Sequence, residues 1–164
     1  MRTTIMIGGL CCLLQAAAHA QATTPPAPAP DSGTMAAIYT PFSHVRWERI
    51  MPALGAGSPE IAILHVDPTT HATQLMIRVP AGFHVGKHWH TANETHTVVS
   101  GTFIMDHDGG RVALGAGSFN YMPSRMVHEA WTKPGQGALL FITVDGAWDV
   151  NWVADPPPAA PKRQ

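Results

Sequence analysis

The sequence predicts an all-β fold, an antiparallel sandwich or barrel, on two observations. Apolar runs of strand length recur along the chain, with turn signals between them about every eight to twelve residues. No segment carries a long apolar repeat of period 3.6, and the best helical candidate is a turn or two near Ser43 to Arg49. The predicted strands, in chain order, are EIAILHVD (60–67), ATQLMIRV (72–79), THTVV, TFIMDHD, GSFNYMP, VHEAW and ALLFITVDG.

Turn-forming residues delimit these strands one after another. Pro68 and small polar residues separate the first two runs, and Ser100-Gly101 ends THTVV. TFIMDHD stops at Gly109-Gly110, and Pro123 closes the strand that begins near Gly117. Each boundary favours a short antiparallel connection, which supports the sandwich or barrel prediction.

Length and composition predict one globular domain and argue against nucleic-acid binding. The chain has 164 residues, of which 45% are hydrophobic and 13% charged, enough for one core. Its formal net charge is −1, and no run of Lys or Arg appears before the last few residues. A nucleic-acid-binding protein would need a basic stripe, so no nucleic acid is expected as a partner.

The N-terminus predicts export. Arg2 precedes an apolar stretch from Ile5 to Ala18, and Ala18-His19-Ala20 is a small-x-small cleavage site, so residues 1–20 are predicted to be a signal peptide cleaved after Ala20. The apolar stretch is short for a membrane span, so no membrane contact is expected after cleavage. The alternative is a lipoprotein modified at Cys11 or Cys12, although Leu10 and Cys11 precede them where a small residue is usual.

Removal of the signal peptide would leave a chain without cysteine. Disulfides, cysteine zinc sites and thiol nucleophiles are then excluded, and a bacterial periplasm or the outside of the cell is the expected location. Residues 21–34 are predicted to be a Pro/Ala-rich linker and residues 154–164 a Pro-rich tail, which leaves 35–153 as the folded domain.

A cluster of histidines in GFHVGKHWHTANETHTVVSG (82–101) predicts a metal site. His88 and His90 are two residues apart and so share one face of a strand, as do Glu94 and His96 on the next strand. A hairpin with its turn in Thr-Ala-Asn would aim all four side chains to one side. Burial of such groups is costly unless they are paired or coordinated, so a metal-free hydrogen-bond network is the weaker alternative.

A later segment, GSFNYMPSRMVHEAWT, supplies one more candidate ligand in His128. Two histidines and a carboxylate form a facial triad, and a third histidine extends it to a set with two open positions. Such a set suits one divalent transition metal, which is Fe, Mn, Ni, Cu or Zn.

These two segments resemble the two motifs of the cupin superfamily. Gly82, five residues, His88-x-His90, three residues, Glu94, six residues and Gly101 match the first motif throughout. In the second motif Gly117, Pro123 and His128 keep the spacing, but Arg125 replaces the usual glycine and Thr132 the usual asparagine.

The resemblance implies a jelly-roll β-barrel, or double-stranded β-helix, with one metal inside. The implied ligands are His88, His90, Glu94 and His128. It also implies a homodimer, with the segment from Met35 to Pro59 pairing between copies.

Two further residues are candidates for catalysis. His96 faces the pocket by parity and would be either a donor to a metal ligand or a proton shuttle for substrate. Arg125 would be either a surface residue on a β-turn or a guanidinium that binds a substrate carboxylate at the barrel mouth.

Three functional classes are consistent with the resemblance. The first is a metal-dependent enzyme, most plausibly an oxygenase or oxidase, with a small organic substrate selected by the aromatic residues of the pocket. The second is a periplasmic protein that binds a metal or metabolite, and the third is a barrel that a metal merely stabilises. A complete ligand set with open positions favours the first two classes over the third.

Overall fold

The computed structural model describes residues 36–153 of the chain. The predicted signal peptide, linker and C-terminal tail lie outside the described residues, as does Met35. Within residues 36–153, no helix has the length and hydropathy needed to cross a membrane.

The described residues form ten β-strands and two short 3₁₀ segments. The 3₁₀ segments are Phe42–His44 and Pro52–Gly57, and the second is interrupted at Gly55, whose φ is 56°. The strands are β1 (Glu48–Arg49), β2 (Glu60–Val66), β3 (Thr73–Val79), β4 (His84–Trp89), β5 (Glu94–His107), β6 (Gly110–Gly115), β7 (Phe119–Met122), β8 (His128–Thr132), β9 (Ala138–Val144) and β10 (Asn151–Trp152).

The region near Ser43 to Arg49 is helical only at its start. Glu48 and Arg49 pair with β2 as strand β1, so the helical candidate shrinks to the 3₁₀ turn at Phe42–His44. This strand belongs to the segment predicted to pair between two copies, and here it pairs within its own chain. The homodimer stays a prediction.

All strand pairs are antiparallel, which confirms the all-β prediction. One sheet has the order β1-β2-β3-β9-β5-β7, and the other has the order β6-β5-β8-β4-β10. Strand β5 is shared, since its first half belongs to the first sheet and its second half to the other. The two sheets therefore face each other as a jelly-roll barrel.

Strand β5 passes between the sheets at Gly101. The register shifts between Val98 and Ser100, and Gly101 has a φ of 81°. A Cβ at this position would overlap the carbonyl oxygen of Gly137. Only glycine combines this backbone conformation with so close an approach of another chain segment.

The barrel interior is filled by alternate residues of the strands. In β9 every second side chain from Ala138 to Val144 is buried, and β8 and the first half of β5 alternate in the same way. This period of two is the signature of strands with one face on a core. The most deeply buried apolar side chains are Leu75, Val98, Leu140 and Ile142.

The predicted hairpin between the two halves of the histidine cluster is wrong. Strand β4 pairs with β8 and β10, whereas β5 pairs with β9, β7, β8 and β6, so β4 and β5 are not partners. Residues 90–93 instead form an arch from one sheet to the other. The arch is held by carboxylates, because the backbone N–H of Thr91 donates to Asp149 (2.9 Å) and that of Asn93 to Asp145 (2.9 Å).

Candidate metal centre

Three histidines from two strands meet inside the barrel. His88 lies in β4 and is the register partner of His128, the first residue of β8, while His90 directly follows β4. One ring nitrogen of each lies within 4.8 Å of those of the other two. All three side chains are buried. We call these residues the three-histidine cluster.

Backbone carbonyls fix the orientation of all three rings. The Nδ1 atom of His88 lies 2.7 Å from the carbonyl oxygen of Gly86. The equivalent distances are 2.5 Å from His90 to Asp149 and 3.0 Å from His128 to Met126. A carbonyl only accepts, so each Nδ1 carries the proton and each Nε2 presents a lone pair. This is the ring arrangement that metal-binding histidines adopt.

Two of the three rings are in the protonation state that binds a metal. Burial, helped by the neighbouring His128, lowers the pKa of His88 to about 3. Burial likewise lowers the pKa of His128 to about 4. Both rings are therefore neutral near pH 7, the protonation state that metal coordination requires.

Glu94, the first residue of β5, is 1% exposed and lies beside the cluster. Its Oε1 accepts a hydrogen bond from the indole N–H of Trp148 at 3.1 Å. Its Oε2 lies 3.0 Å from Nε2 of His90 and 3.2 Å from Nε2 of His96. Glu94 is not among the residues whose ligand atoms all lie within 4.8 Å of one another.

The contact between His90 Nε2 and Glu94 Oε2 is unfavourable unless a positive charge is present at these atoms. Neither His90 Nε2 nor Glu94 Oε2 has a partner with hydrogen-bond geometry, although both are fully buried. The Nδ1 proton of His90 is already donated to Asp149, so a neutral ring would set a lone pair against a carboxylate oxygen. A metal ion or a second proton on the ring removes that repulsion. The residues therefore fit a metal.

In the absence of a metal, a second proton on the His90 ring removes the same repulsion, and the pKa values of His90 and Glu94 reflect this. Burial lowers the pKa of His90, but the Glu94 carboxylate more than offsets it, so the pKa lies above its ordinary value. Burial raises the pKa of Glu94, but the charges of His96 and His90 hold it well below its ordinary range. Without metal, a proton on His90 is thus stabilised by Glu94; with metal, the cation takes its place.

His96 is buried on the interior face of β5, as predicted from its parity with Glu94. Its Nε2 faces Glu94, its ring lies 5.9 Å from that of Phe103, and its Nδ1 has no hydrogen-bond partner. It lies outside the three-histidine cluster but lines the same pocket.

Arg125 lies on the protein surface and is not part of the pocket wall. It occupies a turn in which the N–H of Met126 donates to the carbonyl of Pro123, and its φ is 62°. Its own N–H donates to the carbonyl of His90 at 2.9 Å. Its backbone thus supports a histidine of the cluster, whereas a catalytic role of the guanidinium stays a prediction.

The cluster opens on a pocket in the barrel. Together with the part open to solvent, the pocket holds about 620 Å³ of empty space. Besides His96, Glu94 and the cluster, its wall is formed by apolar and aromatic residues: Ile50, Met51, Pro59, Ile77, Val79, Phe83, Val85, Phe103, Met105, Ala130, Leu140, Ile142, Trp148, Val150 and Trp152.

Not every aromatic residue of the barrel contributes to the pocket wall. Phe103 lines the pocket, but Tyr121 is 53% exposed on β7. Trp131 lies outside the wall, where its ring stacks on that of His84 (ring centroids 4.8 Å apart) and contacts the guanidinium of Arg111 (4.0 Å).

The segment 145–152, which we call the C-terminal strap, completes the site and was missed in the sequence. Asp149 accepts from His90 through its carbonyl and from Thr91 through both carboxylate oxygens. Trp148 donates to Glu94, and Trp152 is the register partner of His88 in the β10–β4 pair. The only sequence signal was the presence of tryptophans near the end of the domain.

A jelly-roll barrel with a buried histidine cluster defines the chain as a cupin. The model of the ChrR cupin-like domain family matches residues 35–146, which is more than half of the chain. The chain therefore belongs to the family of ChrR cupin-like domains. This confirms the resemblance seen in the two motifs.

Solved structures show the same fold. An RmlC-like cupin from Shewanella frigidimarina is 22% identical, with a TM-score of 0.57, over 68% of this chain and 93% of that chain. The polyketide cyclase RemF from Streptomyces resistomycificus is 16% identical, with a TM-score of 0.59, over 76% and 90%. The structure of Rhodobacter sphaeroides SigE in complex with the anti-sigma ChrR is 24% identical, with a TM-score of 0.51, over 64% and 51%.

At these identities the likeness shows the fold alone, not the activity. No curated protein is similar enough to this chain to match.

Proposed function

We propose that the protein is a metal-dependent enzyme, of oxygenase or oxidase type, acting on a small organic substrate. One divalent transition metal, among Fe, Mn, Ni, Cu and Zn, would be held by His88, His90, Glu94 and His128. The observation that carries this proposal is the buried lone-pair contact between His90 Nε2 and Glu94 Oε2, beside two histidines that burial keeps neutral. When bound, the metal supplies Lewis acidity and adjacent positions for substrate and oxygen.

The protein's own residues would position these groups and manage protons. Trp148 binds one carboxylate oxygen of Glu94 and leaves the other directed at His90 and His96. The Nε2 atom of His96 lies 3.2 Å from that oxygen, and its Nδ1, which has no hydrogen-bond partner, would be the site that exchanges a proton with substrate. The apolar wall excludes water from the reacting groups.

A second candidate function is a binding protein for a metal or metabolite. It is supported by the three-histidine cluster and by the pocket beside it, since both can hold a ligand without turnover. Turnover of a substrate by the metal-loaded protein favours the enzyme, whereas reversible binding without turnover favours the binding protein.

The first experiment is elemental analysis of the untagged protein, paired with Glu94→Gln. We expect about one equivalent of a transition metal in the wild-type protein. Glu94→Gln keeps the hydrogen bond from Trp148 but removes the negative charge, so metal affinity should fall by about tenfold or more without unfolding the barrel. Wild-type protein that neither contains nor takes up metal overturns the proposal, and equal affinity in the variant removes Glu94 from the ligands.

Location in the periplasm or outside the cell is likewise a proposal. It rests on the N-terminal pattern that ends at Ala18-His19-Ala20. N-terminal sequencing of the protein from a periplasmic extract should begin at Gln21. An intact N-terminus in the cytoplasmic fraction would contradict the export proposal.

A further inference from the structure

The pocket wall contains charge in only one place. Its polar side chains are the three-histidine cluster, Glu94 and His96, which contact one another, and its remaining side chains are apolar or aromatic. No Lys or Arg is among the wall residues within the described part of the chain. The wall can therefore offer a ligand apolar contact over its body and polar contact at one end.

An anionic ligand would lose its hydration in this pocket without gaining a counter-charge. Two described arginines that lie outside the pocket wall stack on aromatic rings. Arg78 stacks on Trp47 at 3.7 Å, and Arg111 lies over Trp131. The carboxylate of Glu94, which is buried in the wall, would add repulsion. Transfer of an uncompensated ion into such surroundings is strongly unfavourable.

A cationic ligand also lacks a free partner. The Oε1 atom of Glu94 already accepts from the indole of Trp148, and its Oε2 lies within 3.2 Å of both His90 and His96. The carboxylate is thus occupied by the protein's own groups. A ligand ammonium would have to displace one of these contacts to reach it.

Aromatic rings flank the polar end. The ring of Trp152 lies 5.4 Å from that of His88, and the ring of Trp148 lies 6.4 Å from that of His90. Phe103 is buried beside His96. Flat aromatic surfaces of this kind favour a ligand with a ring or a branched hydrocarbon body.

We infer that the pocket binds an uncharged, mainly apolar molecule with an aromatic or branched body and one oxygen donor directed at the three-histidine cluster. Only the role of the oxygen donor depends on the proposed metal site. The preference for an uncharged apolar body is a property of the metal-free wall, because a bound divalent cation would outweigh the charge of Glu94 and attract an anion.

The test compares three small ligands of matched size and different charge. Equilibrium dialysis of the full chain after chelator treatment would measure binding of p-cresol, p-toluenesulfonate and 4-methylbenzylammonium near pH 7. We expect p-cresol to bind at least about tenfold more tightly than either ion. Equal or tighter binding of the anion or of the cation overturns the inference.

A charge-gain variant locates the binding to this pocket. Met51 is half-buried in the pocket wall at the start of the 3₁₀ segment Pro52–Gly57, whereas Ala53 in that segment is exposed and lies outside the wall. Met51→Arg should strengthen binding of p-toluenesulfonate severalfold and weaken that of p-cresol, while Ala53→Arg should leave both unchanged. Unaltered binding in Met51→Arg would place the ligands elsewhere and overturn the inference.

Metal analysis of the protein before chelator treatment separates this inference from the proposed function. If the protein binds no metal but still prefers p-cresol, the proposed metal enzyme fails and the ligand class stands. If metal binds but the preference is absent, the reverse holds.

Discussion

Arg125 has a backbone conformation that suits glycine. Its φ of 62° costs a side-chain-bearing residue about 1–2 kcal/mol. The cupin motif that this segment resembles has glycine here, and the turn at Pro123 to Met126 gives the physical reason for it. We expect Arg125→Gly to raise the free energy of unfolding in urea by up to about 1 kcal/mol, with unchanged metal content.

Arg125→Ala is the matched control, because it removes the guanidinium and keeps the strained backbone. It should show no gain in stability. Loss of ligand binding in both variants would instead assign the guanidinium a role at the pocket.

Trp148 positions the Glu94 carboxylate through a single hydrogen bond. Trp148→Phe removes the indole N–H that donates to Oε1 and keeps an aromatic ring in the wall. Partners of this kind affect metal affinity by about 10–100-fold, so we expect a loss of about tenfold, measured by competition with a chelator. Trp152→Phe is the control, because Trp152 lines the same pocket near His88 without a hydrogen bond to Glu94. Equal losses in both variants would mean that only packing matters.

At the scale of residues, the three-histidine cluster could be predicted from the sequence, whereas the contacts of the C-terminal strap could not. His88, His90 and His128 were predicted because a motif with fixed spacing contains them. Trp148 contacts Glu94 across 54 positions, and Asp149 contacts His90 across 59. No local pattern encodes contacts of that separation, so the strap became visible only in the folded chain.

Among the strands, β5 connects the two sheets of the barrel, because it belongs to both. Its passage at Gly101 combines a φ of 81° with close approach of Gly137. Gly101→Ala should therefore lower the free energy of unfolding by more than about 2 kcal/mol, measured in urea. Gly115→Ala, in strand β6 with open space around the added methyl group, should change it by less than about 0.5 kcal/mol. Similar values for the two variants would contradict this account of the crossing.

The sequence pattern predicted where strands lie better than it predicted which strands pair. Apolar runs located β2, β3, β7, β8 and β9, because these signals are local. Ser100-Gly101, predicted to end a strand, lies within β5, and the runs did not include β1, β6 or β10. The pairing of β4 with β5 was inferred from proximity in sequence, and it was wrong because β4 and the first half of β5 lie in opposite sheets. The side chains of His88 and His96 still converge, since both face the interior from their separate sheets.

For the molecule as a whole, the buried histidines link stability to pH. The unfolded chain takes up protons at the ordinary histidine pKa of about 6.5, whereas the folded chain takes them up at about 3 on His88 and about 4 on His128. Between these values the unfolded state binds more protons. The free energy of unfolding of the metal-free protein therefore falls as the pH is lowered from 6.5 towards 4.

The other two site residues modify this trend without reversing it. His90, whose pKa is raised, contributes stability below pH 6.5 that is lost as the pH rises through its folded value. Glu94, whose pKa is lowered, contributes stability above its ordinary pKa that disappears only at strongly acidic pH. Below pH 6.5 the contribution of His90 is nearly constant, so the loss from His88 and His128 between pH 6.5 and pH 4 should be on the order of 5 kcal/mol.

Urea unfolding of chelator-treated protein at pH 7.5, 6, 5 and 4 measures this dependence directly. His88→Gln, which cannot titrate, should flatten the profile. Metal-loaded protein should lose stability more steeply on acidification, because protons then compete with the metal for the same ring nitrogens. A wild-type profile that stays flat from pH 7.5 to pH 4 would show that the cluster is not buried in neutral form, and the electrostatic basis for a metal centre would fall with it.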